Sequence, residues 1–298
     1  PGMLEPWLSD TTAKSQLAQL SECVDFDLIA AGTEWDADRI RNTRIAQPLI
    51  FATSLVSAYA ALASGAKPAA VTGHSVGEWC ASVLAGVLTA TDAMTLVAAR
   101  GNAMALACEE EPTGLSAILG GDRDAVIAAV SACGLAVAND NGPGQLVVGG
   151  TIDQLERFAV APPEKARVRA LDVAGAFHTE AMHPAVVTIS ELAADVSVND
   201  ADIPLVSNRD GSAITNGRQI LDRLVDQIAL PVRWDLVMNT LAAIEASVTV
   251  ETCPSGTLTG ILRRALPAVT THRIDSPADV TALSTSDLRA IELTGATR

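Results

Sequence analysis

The sequence predicts an α/β chain in two parts, a larger one built on a parallel sheet and a smaller one inserted into it. Three observations predict this. Short apolar runs such as Ala69–Thr72 alternate with stretches of helical period. Gly73-His74-Ser75-Val76-Gly77 marks a sharp turn from strand to helix. Residues 115–173 then switch to a βαββαβ rhythm of their own. A chain of 298 residues has room for one large domain, or for a large and a small one.

Taken in order, residues 1–42 hold weak helical patterns at Ala13–Cys23 and Asp36–Arg41 and no opening strand. Pro48 is a favourable first helical residue, so a long apolar helix is expected over Leu49–Ala63. Ala69–Thr72 reads as a buried strand and Val76–Ala85 as a helix that Gly86 stops. Thr91 or Asp92 can cap a helix running to about Cys108, followed by a solvated connection at Glu109–Gly114.

The second rhythm comprises strand Leu115–Leu119, helix Asp122–Cys133, strand Leu135–Asn139, the turn Asn141-Gly142-Pro143-Gly144, strand Gln145–Val148, helix Ile152–Ala159 and strand Arg167–Val173. That is the order of a ferredoxin-like unit. Beyond it lie helix His183–Ala194, strand Leu205–Ser207, a turn at Asn208–Gly211, helices Ile220–Ile228 and Trp234–Ala243, and strand Ser247–Glu251. A turn at Thr252–Leu258 precedes a last helix, and residues from about Pro277 look peripheral. The expected architecture is therefore a large α/β-hydrolase-like domain with a parallel sheet (residues 1–111 and 176–298) and an inserted small ferredoxin-like βαββαβ domain (residues 112–175).

Composition narrows the function. A net charge of -15 argues against a nucleic-acid partner, which needs a basic face. An acidic partner would have to dock on a local basic cluster such as Lys165-Arg167-Arg169 or Arg263-Arg264. No uninterrupted apolar run reaches the ~18 residues of a membrane span, so no membrane partner is expected. The start Pro1-Gly2-Met3-Leu4-Glu5 is neither basic nor apolar enough for a signal, which makes the cytoplasm the expected address. Five scattered cysteines with no Cys-x-x-Cys spacing read as reduced core residues, with no metal site expected.

Chemistry concentrates at the strand-to-helix turn. Gly-x-Ser-x-Gly lifts a serine hydroxyl above a sheet edge, the flanking glycines avoiding collisions, and the Val76 N–H at the helix start can face an oxyanion. On the following helix, Arg100 interrupts the apolar stripe of Ala93, Leu96, Val97, Ala103, Met104 and Ala107, so it faces inward and needs an anion. That anion is either a structural Asp or Glu or a carboxylate on the substrate, which a guanidinium fork can grip by both oxygens. Among four histidines, His74 lies inside the turn, while His183 and His272 read as surface or structural. His178, in a Gly-Ala-Phe loop where the two parts meet, is the expected base, in a dyad oriented by a backbone carbonyl.

Gly73-His74-Ser75-Val76-Gly77-Glu78, Arg100-Gly101, Asn139-Asp140-Asn141-Gly142-Pro143-Gly144-Gln145, Gly175-Ala176-Phe177-His178, Gln227 with Pro231-Val232-Arg233-Trp234, and Ser255-Gly256-Thr257-Leu258-Thr259-Gly260 together resemble the malonyl-CoA:acyl carrier protein transacylases of fatty-acid and polyketide synthesis. The match spans nearly the whole chain, and Ala166–Thr179 looks most like actinobacterial members. The resemblance implies that Ser75 accepts malonyl from coenzyme A and passes it to the phosphopantetheine thiol of acyl carrier protein. It implies His178 as acid and base, Val76 N–H as an oxyanion donor, Arg100 on the malonyl carboxylate and Gln47 lining the pocket. Gln227 would orient the histidine through its carbonyl, and Asn139 or Asn141 would lie near the site. Val76 and the Ala-Phe-His ending resemble malonyl-selective rather than methylmalonyl-selective relatives. No cofactor is implied, since the coenzyme A thioester is the substrate.

In one respect the sequence departs from the family pattern. Members begin with a strand and a Gly-Gln-Gly-Ser-Gln segment whose first glutamine supplies a second oxyanion contact, whereas this sequence begins after it. The expectation is a fragment lacking one strand, with a barrier ~3–4 kcal/mol higher. Two other functions stand beside transfer: an elbow-type serine esterase or thioesterase, and a catalytically impaired carrier-binding module.

Overall fold

The computed structural model describes residues 1–283. Its helices begin where short polar side chains take the first free backbone N–H groups. Asp10, Asp27, Asp36 and Asn42 cap α1 (Thr11–Ser21), α2 (Leu28–Thr33), α3 (Ala37–Ile40) and α4 (Thr43–Ala63). The elbow helix α5 (Gly77–Leu84) follows, then α6 (Ala90–Glu110), β1 (Thr113–Gly120), α7 (Arg123–Ala132), β2 (Ala136–Asp140), β3 (Gln145–Thr151), α8 (Ile152–Val160) and β4 (Ala166–Ala170). The remaining elements are α9 (His183–Ala194), β5 (Leu205–Val206), β6 (Ala213–Ile214), α10 (Gly217–Asp226), β7 (Val232–Arg233), α11 (Trp234–Ala243), β8 (Val248–Glu251), α12 (Thr257–Ala265), β9 (Thr270–Arg273) and α13 (Pro277–Ala282).

Four helix starts differ from expectation for the same reason, a stronger cap upstream: Asp10 starts α1 at Thr11 rather than Ala13, Asn216 starts α10 at Gly217 rather than Ile220, and α4 and α6 also start early. Asn42 Oδ1 accepts from Arg44 N (3.0 Å), so α4 starts at Thr43 and carries Pro48 inside it, giving up the bond a residue there would make to the Arg44 carbonyl. Thr89 Oγ1 accepts from Asp92 N (3.1 Å) and donates to Asp92 Oδ2 (2.6 Å), which starts α6 before Thr91. The 21 residues of α4 are long and apolar enough to cross a membrane by length and composition, contrary to expectation, but 61% of the apolar window is buried inside the fold. Its partner is α6, and at Gly101 a Cβ would stand 2.8 Å from the Thr43 carbonyl oxygen, so the helices cross in near backbone contact.

The inserted segment forms an antiparallel sheet of order β4-β1-β3-β2. Ile118, Val130, Leu146, Val148, Leu155 and Phe158 close its own core beneath α7 and α8. Its outer strand β2 pairs in parallel with β7, through Asn139↔Val232 and Asp140↔Arg233, which ties this sheet to the later part of the chain.

The expected large parallel sheet is seen in pieces. Val71 bridges Leu205 in parallel, β5 pairs with β6, and β8 pairs with β9 in parallel. Among the described residues no strand pairing joins Ala69–Gly73 to Ser247–Thr252; both line a cavity of about 800 Å³. The fully buried Trp79 seats α5 in the main core, a burial worth about 1.5–3 kcal/mol. The tail expected to be peripheral is partly core: Val280 and Leu283 are buried, while residues 284–298 lie outside the described residues.

Candidate active site

Ser75 sits between the Val71 bridge and α5 with φ of 54°, a left-handed conformation that a non-glycine residue adopts at a cost. Gly73 makes the turn possible, because a Cβ there would lie 2.0 Å from the Gly77 carbonyl carbon. Gly77 differs from expectation: a Cβ at that position meets nothing within 4 Å. The turn is clamped from the opposite side by Asn208, whose Oδ1 accepts from Ser75 N (2.9 Å) and whose Nδ2 donates to the Gly73 carbonyl (2.7 Å).

His178 also has positive φ (62°) and is buried. Its Nε2 lies 2.7 Å from Ser75 Oγ and its Nδ1 2.7 Å from the Gln227 carbonyl oxygen. A carbonyl only accepts, so Nδ1 carries the proton and Nε2 presents its lone pair to the serine hydroxyl. Burial, then the nearby Arg100 charge, push the imidazole pKa down to about 3. His178 therefore rests neutral, in the state a general base requires.

Arg100 is wholly buried on α6. One terminal nitrogen donates to Gln47 Oε1 and the other to Ser75 Oγ (3.2 Å), while its Nε has no partner. Burial lowers its pKa to about 10, which leaves it charged at neutral pH. Arg100 forms no salt bridge among the described residues; the structural carboxylate nearby is Glu78, whose charge acts on the guanidinium against the effect of burial without touching it. The hydroxyl, the imidazole and the guanidinium thus meet at one oxygen atom.

The other expected residues distribute as follows. Val76 is the N-cap of α5, with its N–H at the head of the helix. Gln47 is a partner of Arg100. Asn141 Oδ1 lies 3.0 Å from His74 Nε2, and His74 packs on Trp234 with ring centroids 5.6 Å apart. Asn139 is buried within β2 and paired with Val232, two residues before Asn141. His183 is exposed beside Glu180 (3.9 Å), and His272 lies on β9 opposite Val250. Neither contacts Ser75. The large cavity near β8 is lined by His74, Thr72 and Trp234 but not by Ser75, Arg100 or His178.

Sequence reasoning missed Asn208 and the interior position of Glu78. Asn208 read as an ordinary turn residue, and its only signal was a polar side chain at the end of an apolar strand. Glu78 is fully enclosed, and burial raises its carboxyl pKa to about 8 against the pull of donors from Asn208, Ser207 and Gln227 and the Arg223 charge.

Residues 8–284 match the acyl transferase domain family. The chain is 45% identical to the malonyl CoA-acyl carrier protein transacylase of Mycobacterium bovis, over 95% of each chain. The crystal structure of the Mycobacterium tuberculosis enzyme superposes with a TM-score of 0.90 at 45% identity, covering 94% of both chains. A malonyl-transacylase solved in complex with a type II PKS acyl-carrier protein superposes with a TM-score of 0.88 at 25% identity, again over 94% of both. The serine–histidine–arginine site is thus carried by a chain that belongs to the acyl transferase domain family, alongside the mycobacterial malonyl CoA-acyl carrier protein transacylases.

Proposed function

We propose that this chain moves malonyl from coenzyme A to the phosphopantetheine thiol of acyl carrier protein through a malonyl ester on Ser75. The observation that carries this reading is the buried Arg100, with no carboxylate in contact among the described residues, its Nε unpartnered and a terminal nitrogen donating to the nucleophile's own oxygen. A plain esterase gains nothing from a buried cation there, whereas a site selecting a substrate with a free carboxylate does.

Each half-reaction moves one acyl group and one proton. Ser75 attacks the thioester carbonyl while His178 Nε2 takes the hydroxyl proton, and the Gln227 carbonyl stabilises the imidazolium through Nδ1–H. The oxyanion faces Val76 N–H at the start of α5. His178 then returns its proton to the departing coenzyme A sulfur. In the second half the carrier thiol gives its proton to His178 and attacks the ester, and Ser75 leaves as the hydroxyl. No step needs a cofactor or a metal; Gln47 on Arg100 and Asn141 on His74 support the assigned pocket, to which we also assign Asn139.

The order β4-β1-β3-β2 supports reading residues 112–175 as a ferredoxin-like domain set into an α/β-hydrolase-like one, residues 1–111 and 176–298. We place the activity in the cytoplasm, in fatty-acid or polyketide synthesis. The acidic carrier would dock at Lys165-Arg167-Arg169 or at Arg263-Arg264, where Arg264 also reaches Gln145 of the small sheet (3.1 Å).

The test is transfer against hydrolysis. With malonyl-CoA and holo carrier, malonyl-carrier should form far faster than free malonate, with parallel double-reciprocal lines. Release of malonate at the same rate without carrier would point to a hydrolase instead.

A further inference from the structure

Behind the serine and the histidine lies a second layer of polar groups, fully enclosed and serving neither the substrate nor the helix ladders. Glu78, in the first turn of α5, accepts from Asn208 N through Oε1 (2.8 Å) and from Gln227 Nε2 through Oε2. Gln227 Nε2 also donates to Asn208 Oδ1 (3.2 Å), the atom that holds Ser75 N. Glu78, Asn208 and Gln227, from three separate segments, therefore close a ring in which Asn208 takes part through its backbone N–H and its side chain. Each arm of the ring ends on the catalytic pair: Asn208 grips Ser75 N and the Gly73 carbonyl, and Gln227 carries the carbonyl that receives His178 Nδ1–H.

We propose that Glu78 and Asn208 are positioning residues for acyl transfer, holding the Ser75 turn and the Gln227–His178 segment in one frame so that Oγ and Nε2 stay in hydrogen-bond contact. The inference rests on the function proposed above but is argued from backbone geometry. Ser75 and His178 both occupy left-handed φ values of 54° and 62°, and neither is glycine. Conformations of that kind persist where the surroundings over-determine them. The ring supplies this on both sides: Ser75 N is tied to Asn208, and the segment after Gln227 receives His178 N at the Ile228 carbonyl (3.2 Å). A carboxyl is suited to the hub because its two oxygens reach two elements at once, whether ionised or carrying a proton. The surface pairs Arg209–Asp226 (3.0 Å) and Arg223–Asp210 (2.7 Å) also tie the residue 208 turn to the end of α10, and Glu78 with Gln227 Nε2 forms the buried tie beneath them.

Removing the hub leaves Asn208 N buried without an acceptor and Gln227 Nε2 with Asn208 Oδ1 alone, and loosens the two segments. A displacement of about 1 Å costs on the order of 10²-fold in rate. E78A should therefore lower kcat about 10²-fold with KM for malonyl-CoA within about threefold of wild type. E78Q should recover to within about tenfold, since its oxygen still accepts from Asn208 N and its amide can donate to Gln227 Oε1, which is unpartnered in the native ring. N208D exchanges one atom, losing the donor to the Gly73 carbonyl and keeping the acceptor for Ser75 N. It should fall about tenfold or more in kcat and carries the test if E78A does not fold.

Phosphonylation of Ser75 by a simple fluorophosphonate gives a readout independent of malonyl, and its rate should fall in the same order across the three variants. Folded E78A and N208D with wild-type kcat and wild-type labelling, or a rise in KM alone, would overturn the inference. A wild-type chain that reacts with the fluorophosphonate but takes no malonyl would sink the proposed transfer and leave the positioning role standing.

Discussion

Replacing Arg100 with alanine separates a carboxylate-selecting transferase from any other elbow enzyme. The guanidinium has one nitrogen with no partner and another 3.2 Å from Ser75 Oγ, so a malonyl carboxylate entering the site meets a buried, charged donor. Charge-assisted hydrogen bonds are each worth about 1.5–3 kcal/mol, and two to one carboxylate, counted with their non-additivity, give about 3–4 kcal/mol. In kcat/KM for malonyl-CoA that is a loss of roughly 10²- to 10³-fold. Acetyl-CoA has no carboxylate to lose, so its kcat/KM should stay within about tenfold. R100K keeps the charge without the fork and should fall between the two. The assay is acyl transfer to carrier with both thioesters on one protein preparation, which makes the malonyl-to-acetyl ratio independent of how much of the variant is folded. Equal losses for both substrates would refute the assignment of Arg100 and with it the malonyl reading.

The remaining predictions test acid–base state, the turn and the partner. The folded pKa of His178 lies near 3, below the ordinary value of 6.5; between the two the unfolded chain binds more protons, so this group's contribution to stability is present above pH 6.5 and lost as pH falls towards 3. Denaturation followed against pH should show H178A losing less stability across that window than wild type. Glu78 has the opposite sign, with a folded pKa of about 8 above the usual 4.5. Its contribution is fully present below pH 4.5 and is lost as pH rises through 8, so E78Q should flatten that decline. G73A should destabilise by at least about 3 kcal/mol, because the new Cβ meets backbone. G77A, in open space at a helix start, should stay within about 1 kcal/mol of wild type by chemical denaturation. Charge reversal at Lys165-Arg167-Arg169 or at Arg263-Arg264 should raise KM for carrier protein at one cluster and leave KM for malonyl-CoA unchanged; no change at either would remove both as docking sites.

Local signals carried a large part of this structure. Helices His183–Ala194 and Trp234–Ala243 follow from periodicity alone, and the βαββαβ order was legible because glycines or asparagines follow its first three strands, at Gly120-Gly121, Asn139–Gly142 and Gly149-Gly150. Ser75, Arg100 and His178 were legible because each breaks a local pattern: a polar residue between glycines, a charge in an apolar stripe, an imidazole in a small-residue loop. What escaped depends on distance in sequence. The pairing of Val232 with Asn139 joins residues some ninety apart, and a two-residue strand has no period to read. Asn208 and Glu78 are 130 residues apart, and nothing local shows that a turn asparagine will reach the underside of the elbow. Gly77 misled in the other direction, since the motif suggests a steric need that the packing there does not impose.

In the mechanism proposed above, Ser75 carries the malonyl group. Intact mass spectrometry of the chain mixed with malonyl-CoA, followed by peptide mapping, tests it directly: the account predicts one malonyl adduct on the peptide containing Ser75, absent in S75A and discharged when holo carrier protein is added. An adduct that persists in S75A, or one that holo carrier fails to remove, would contradict it.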